Sequence, residues 1–300
     1  MERQAGELDA KRRIWESAIP EDFSLEIESL VDKRRVAAEL VADGGIQFFR
    51  DLGSAYSDMK KGFWEWRSLL TDPIYKGEGY PHGGRKKVLV TGGMGSVNAL
   101  HYWDLKKSLR ALNHDAEIFP WTANWERPRE QGRRLLGWAR ENVRGTGRKA
   151  AAVGHSLGTF QWLAAFRESP EEFLEYIDGF YSVESPIPGK LNMALKAASL
   201  FVNLQRDDID ILESLGPFHQ LEMSGDISVT AVESSDDPMI KGMTIAGRES
   251  DHYIVEGSSH ICGGVNPDLV KLIAYRLVGE EVDFNRVPMV HHAPVSLSVA

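Results

Sequence analysis

Six short apolar runs alternate with helical patterns between residues 87 and 278, and this alternation limits the possible folds more than any other feature. The runs cover 87–91, 116–119, 149–153, 176–183, 227–232 and 252–255. A strand buried on both faces reads as an almost unbroken apolar run. Between the runs, helical patterns cover 97–112, 128–143 and 157–167, with a last one at 265–278. Strands joined by helical crossovers must lie parallel in one sheet with helices over both faces. The expected fold class is therefore α/β, with a mostly parallel central sheet, and 300 residues are enough to build it.

The first 84 residues carry no strand pattern. Apolar residues recur at three- and four-residue steps from Phe23 to Phe49, and Gly44-Gly45 is the expected break. A second helical stretch ends near Leu70, and its Phe63-Trp64-Glu65-Trp66 segment is unusually aromatic. The expected organisation is a helical extension over 1–84 that packs on the core, a core over 85–280, and a tail over 281–300. The aromatic segment reads as packing against the core. Its sharper reading is a surface over the active site or a membrane-facing edge, and the N-terminal helices are also a candidate homodimer face.

Charge and composition narrow the partners. Net charge is −9, and the clusters Lys11-Arg12-Arg13 and Lys33-Arg34-Arg35 sit among acids on helical patterns. A nucleic-acid partner is not expected. The single cysteine, Cys262, forbids an intrachain disulfide. The charged N-terminus has no apolar signal-peptide core, and no apolar run approaches the roughly 20 residues of a spanning helix. The expected location is the cytoplasm, with no cofactor and no metal.

The chemistry centres on AAAVGHSLGTF, residues 150–160. A G-x-S-x-G pattern alone arises readily by chance. Here it joins a strand to a helix, the setting in which a sharp turn presents a serine nucleophile. A serine hydroxyl needs a general base, and the base needs an acid to fix its tautomer. In this architecture the order is serine, acid, histidine. The loop after 227–232 holds Glu233, Asp236 and Asp237. Asp236 is preferred because it can turn back over the sheet. Asp237 precedes Pro238, which favours an extended backbone, and Glu233 abuts the strand. His260 occupies the loop after the last strand and is the expected base. His155 is expected to point away from Ser156, and His252 lies on a strand.

Oxyanion donors are expected at the N–H groups of Leu157, just after the nucleophile, and Met94, in Gly92-Gly93-Met94-Gly95 after the first strand. His82-Gly83-Gly84 precedes that strand and reads as linker. A dinucleotide fingerprint is discounted because Asn98 stands where its third glycine would be. Trp121, Trp125, Pro186, Ile187 and Met239 follow strand C-termini, where open α/β sheets bind ligands, and are the expected substrate-binding residues.

These residues resemble the lipase and esterase side of the α/β-hydrolase superfamily from about 88 to 277. The likeness rests on GHSLG, GGMG, the SSDD loop, YSVESPIPG and HICGGVNPDLVKLIAYRL. It implies a Ser156-Asp236-His260 triad, hydrolysis of an ester or related acyl bond, and a helical cap within about 188–222. The chain departs from the pattern in its helical N-terminus, which stands in place of an antiparallel hairpin, and in Gly92, where His or Pro is common. A thioesterase or acyltransferase would use the same triad. A non-catalytic scaffold of this fold is the rival of another class.

Overall fold

The structure is a computed structural model, and it describes residues 44–82, 84–93, 102–120, 128–185, 221, 225, 227–235, 252–259 and 265–292. Helix α1 spans Gly44–Thr71, followed by a 3₁₀ turn at Pro73–Lys76. Then come β1 (Lys87–Thr91), α2 (Trp103–Ala111), β2 (Asp115–Ile118), α3 (Pro128–Val143) and β3 (Ala150–His155). Helices α4 (Leu157–Glu168) and α5 (Pro170–Tyr176) lead into β4 (Ile177–Val183). The chain closes with β5 (Ser228–Ser234), β6 (His252–Val255), α6 (Pro267–Leu277) and β7 (Val290–His292). The expected cap at 188–222 lies outside the described residues, except for Leu221.

All seven strands form one sheet in the order β2-β1-β3-β4-β5-β6-β7. Every pairing is parallel except β6 with β7. Strand β3, third of the seven, lies inside the sheet and is fully buried, as its run of alanines and valine requires. It extends two residues beyond the sequence expectation, because Gly154 and His155 pair with Ser182 and Val183 of β4.

Successive side chains alternate between faces, so each strand feeds two cores. Leu89, Ala150, Ala152, Phe180 and Ala231 face one side, under α3, α4 and α5. Val88, Val90, Ala151, Val153, Tyr181 and Tyr253 face the other, under α2, α6 and the end of α1. Gly132 lets α3 pack close on α4: a Cβ there would stand 2.7 Å from the Ala165 nitrogen.

Two elements differ from the sequence reading. Helix α5 occupies seven residues just before β4 and buries Phe173 against Trp162 and Phe166. The span 281–300, expected to be a tail, contains β7, and its Val287 and Val290 are buried.

His114, between α2 and β2, is buried, and neither ring nitrogen finds a hydrogen-bond partner among the described residues. Burial, with the charges of Lys86 and His82, lowers its pKa to about 4. An unfolded histidine titrates near 6.5, so the stability this group contributes above that pH is lost as pH falls toward 4. Replacing it with leucine is expected to recover about 2 kcal/mol at pH 5 relative to pH 7. Thermal melts at the two pH values measure this, and an unchanged difference between them would contradict it.

Candidate active site

The turn after β3 carries an unusual backbone. Ser156 has φ 50 and ψ −123, a conformation that L residues rarely adopt. The glycines beside it have a different task, which is to leave room. A Cβ on Gly154 would lie 2.6 Å from Thr159 Cα, and one on Gly158 would lie 2.7 Å from the Thr91 carbonyl oxygen. Hydrogen bonds hold the turn. The Ser156 N–H donates to Val183 O at 2.9 Å, and the Thr159 hydroxyl donates to Gly154 O at 2.7 Å. Ser185 Oγ donates to Ser156 O at 3.3 Å. Strain of this kind persists only where its surroundings over-determine it, and it concentrates at functional positions.

Gly93, after β1, faces the serine. A Cβ there would stand 3.0 Å from Ser156 Cβ and 3.5 Å from its Oγ. Leu157 opens α4, so its N–H is one of the first-turn donors that no intrahelical acceptor satisfies.

His155 is buried and has partners at both ring nitrogens. Tyr102 Oη lies 2.6 Å from Nδ1, and Glu184 Oε2 lies 3.1 Å from Nε2. The Gly93 N–H donates to the same Tyr102 oxygen at 3.3 Å. With the Tyr102 hydroxyl donating a hydrogen bond to Nδ1, the neutral ring carries its proton on Nε2 and donates a hydrogen bond to Glu184. The residue thus ties the ends of β1, β3 and β4 together. Glu184, just past β4, is itself buried at φ 44.

Two further strand ends meet beside this group. Ser235 N–H donates to Val255 O at 3.2 Å, and Ser234 Oγ donates to Ser258 O at 2.8 Å. Glu233 Oε1 lies 3.0 Å from His252 Nε2. Helix α1 reaches the same edge: Ser259 N–H donates to Glu65, and Ser259 Oγ donates to Asp58. Burial, opposed by hydrogen bonds from Asn266 and Ser259, raises the Glu65 pKa to about 7, with Glu184 adding to the rise.

Of the residues predicted for the site, Ser156 and Leu157 are described. Met94, Trp121, Trp125, Pro186, Ile187, Asp236, Met239 and His260 lie outside the described residues. Their neighbours Gly93, Ser185, Ser235 and Ser259 are described, and all stand past C-terminal ends of β1, β4, β5 and β6. Sequence reasoning missed Tyr102, Glu184, Asp58 and Glu65. The seven-residue spacing of Asp58 and Glu65 put both on one helix face, which was the only signal available for them.

A mostly parallel sheet in this order, with a strained serine between the interior strand β3 and the following helix, has the architecture of an α/β hydrolase. No protein-family model and no curated sequence matches the chain. Among solved structures, it is similar to Aspergillus fumigatus lipase B at 15% identity and a TM-score of 0.49. That match covers 70% of this chain and only 57% of the lipase. Bacillus licheniformis lipase BlEst2 in mature form is similar at 12% identity and a TM-score of 0.47, over 67% of this chain and 94% of that one. Human thioesterase 2 is similar at 14% identity and a TM-score of 0.40, over 65% and 95%. The sheet topology, rather than these distant likenesses, identifies the fold.

Proposed function

We propose that the protein is a serine hydrolase of the α/β-hydrolase superfamily that cleaves a carboxylic ester, or a related acyl bond, of a small apolar substrate. The observation that carries this reading is the strained backbone of Ser156 at the C-terminal end of β3, inside the sheet. In this reading Ser156 Oγ attacks the acyl carbonyl and passes its proton to His260. The C–O bond to the leaving group then breaks, and His260 returns the proton to the departing alkoxide. Water, activated by the same histidine, hydrolyses the acyl-enzyme. Asp236 stabilises the imidazolium, and the N–H groups of Met94 and Leu157 hold the oxyanion.

The surroundings support parts of this scheme. The Gly93 N–H is engaged by Tyr102, so the next amide, Met94, is the natural donor from that loop. Glu233 stands against His252, which favours Asp236 or Asp237 as the acid. Trp121, Trp125, Pro186, Ile187 and Met239 would supply the apolar acyl or alcohol pocket. No described helix is long and apolar enough to cross a membrane. A cytoplasmic enzyme with a homodimer face on its N-terminal helices remains the proposed setting.

The test is covalent labelling. A fluorophosphonate probe is expected to add once per chain, with the adduct mapped by mass spectrometry to the peptide containing Ser156. A folded protein that stays unmodified would overturn the reading in favour of a non-catalytic scaffold.

A further inference from the structure

Helix α1 lies outside the sheet, yet it grips the loop on which the proposed base is carried. Asp58 and Glu65 are two helical turns apart and share a face of α1. The Ser259 hydroxyl shares its one hydrogen between Asp58 Oδ2 at 2.9 Å and the Asp58 carbonyl oxygen at 3.0 Å. Ser259 N–H donates to Glu65 Oε1 at 3.0 Å and to Oε2 at 3.2 Å. Asn266 Nδ2 donates to the same Oε1 at 2.9 Å.

Asn266 is also the N-cap of α6, where its Oδ1 accepts from the N–H groups of Asp268 and Leu269. One carboxylate therefore holds residues 259 and 266, which lie on either side of His260 in the sequence. The choice of residue fits the task. Two N–H donors converge on one group, and an ionised carboxylate offers only acceptors and strengthens each bond by its charge.

We propose that Glu65 is a positioning residue: by holding the Ser259 backbone and the Asn266 cap, it sets where His260 stands relative to Ser156. This rests on the serine-hydrolase reading given above. It assigns α1 a part in catalysis that its place outside the sheet does not suggest.

The charged and titratable surroundings of Glu65 are Lys61 and Asp58 on α1, Glu184 past β4, and His155 hydrogen-bonded to Glu184. Burial and Glu184 keep the carboxyl titrating near 7, against the hydrogen bonds and Lys61. When it protonates, Oε1 can still accept from both donors, but the charge assistance is lost. Glutamine reproduces that neutral state at every pH.

The experiment compares wild type, Glu65→Gln and Glu65→Ala with a short p-nitrophenyl ester across pH 5–9. Because loose placement of a reacting group costs up to about a hundredfold in rate, kcat is expected to fall about a hundredfold in the alanine variant. The glutamine variant, which keeps an oxygen at Oε1, should lose only about five- to tenfold, with KM within about twofold of wild type. The wild-type acid limb should contain an extra step of that same size near pH 7, absent from Glu65→Gln.

Wild-type kcat and pH profile in both variants would overturn the positioning role while leaving Ser156 labelling intact. So would equal losses in both variants with the acid limb unchanged, since that pattern belongs to a merely structural residue. A wild-type protein that the fluorophosphonate does not label would instead remove the hydrolase reading itself.

Discussion

Ser156→Ala is expected to lower kcat for a short p-nitrophenyl ester by at least about a thousandfold, because removing the nucleophile of such a triad leaves only binding and oxyanion stabilisation. The substitution tests chemistry without disturbing shape, since alanine differs by one oxygen. A companion variant separates catalysis from strain. The backbone at φ 50 and ψ −123 suits glycine far better than any residue with a Cβ. Ser156→Gly is therefore expected to be as inactive as Ser156→Ala and more stable than wild type by about 1–2 kcal/mol, read as a raised Tm. Turnover undiminished in either variant would remove Ser156 from the mechanism. An unchanged Tm in Ser156→Gly would show that the turn stores no strain.

A large loss of stability is expected from Gly158→Ala. The new methyl would sit 2.7 Å from Thr91 O and 2.8 Å from Gly92 O. Both are main-chain atoms at the end of β1, so no side chain can swing aside to make room. Overpacking of this kind costs about 3 kcal/mol or more, a fall in Tm of roughly 10 °C in a chain of this size. Gly137→Ala in α3 is the matched control, because a Cβ there meets nothing within 4 Å. It is expected to hold or raise Tm by up to about 1 kcal/mol equivalent, as glycine is a poor helix former. Equal melting of the two variants would show that the close approach of α4 to β1 is not a tight constraint.

The parts of the fold legible in the sequence were those whose burial is two-sided. Strands β1, β3 and β6 read as apolar runs because both faces are covered, and Pro128 marked the start of α3. Helix α5 was not legible: its seven residues bury only Phe173, so no periodic stripe forms. Strand β7 was missed for a related reason. It pairs three residues at a sheet edge, and His291 and His292 are exposed. At the site, the local signal of GHSLG was strong because turn and nucleophile share five residues. The Tyr102–His155–Glu184 group had no local signal, and the Glu65 clamp had only the seven-residue spacing of Asp58 and Glu65 on α1. Their members lie 29 to 201 positions apart and meet only through tertiary packing. His155, expected only to point away from Ser156, instead has its part defined by the structure, which puts Tyr102 and Glu184 at its two ring nitrogens.

The antiparallel pairing of β7 with β6 has a consequence for the order in which the molecule can be completed. Until residues 290–292 leave the ribosome, β6 is paired only to β5, and Glu256 lacks the 2.7 Å bond it makes to the Met289 carbonyl. The segment that leads from β6 into the loop carrying His260 is therefore fastened at one end by α1, synthesised early, and at the other by the last strand to emerge. A nascent chain halted before residue 290 would hold Ser156 on a nearly finished sheet but would lack the strand that braces β6. The proposed serine chemistry would then become possible only late in synthesis, well after most of the core has formed.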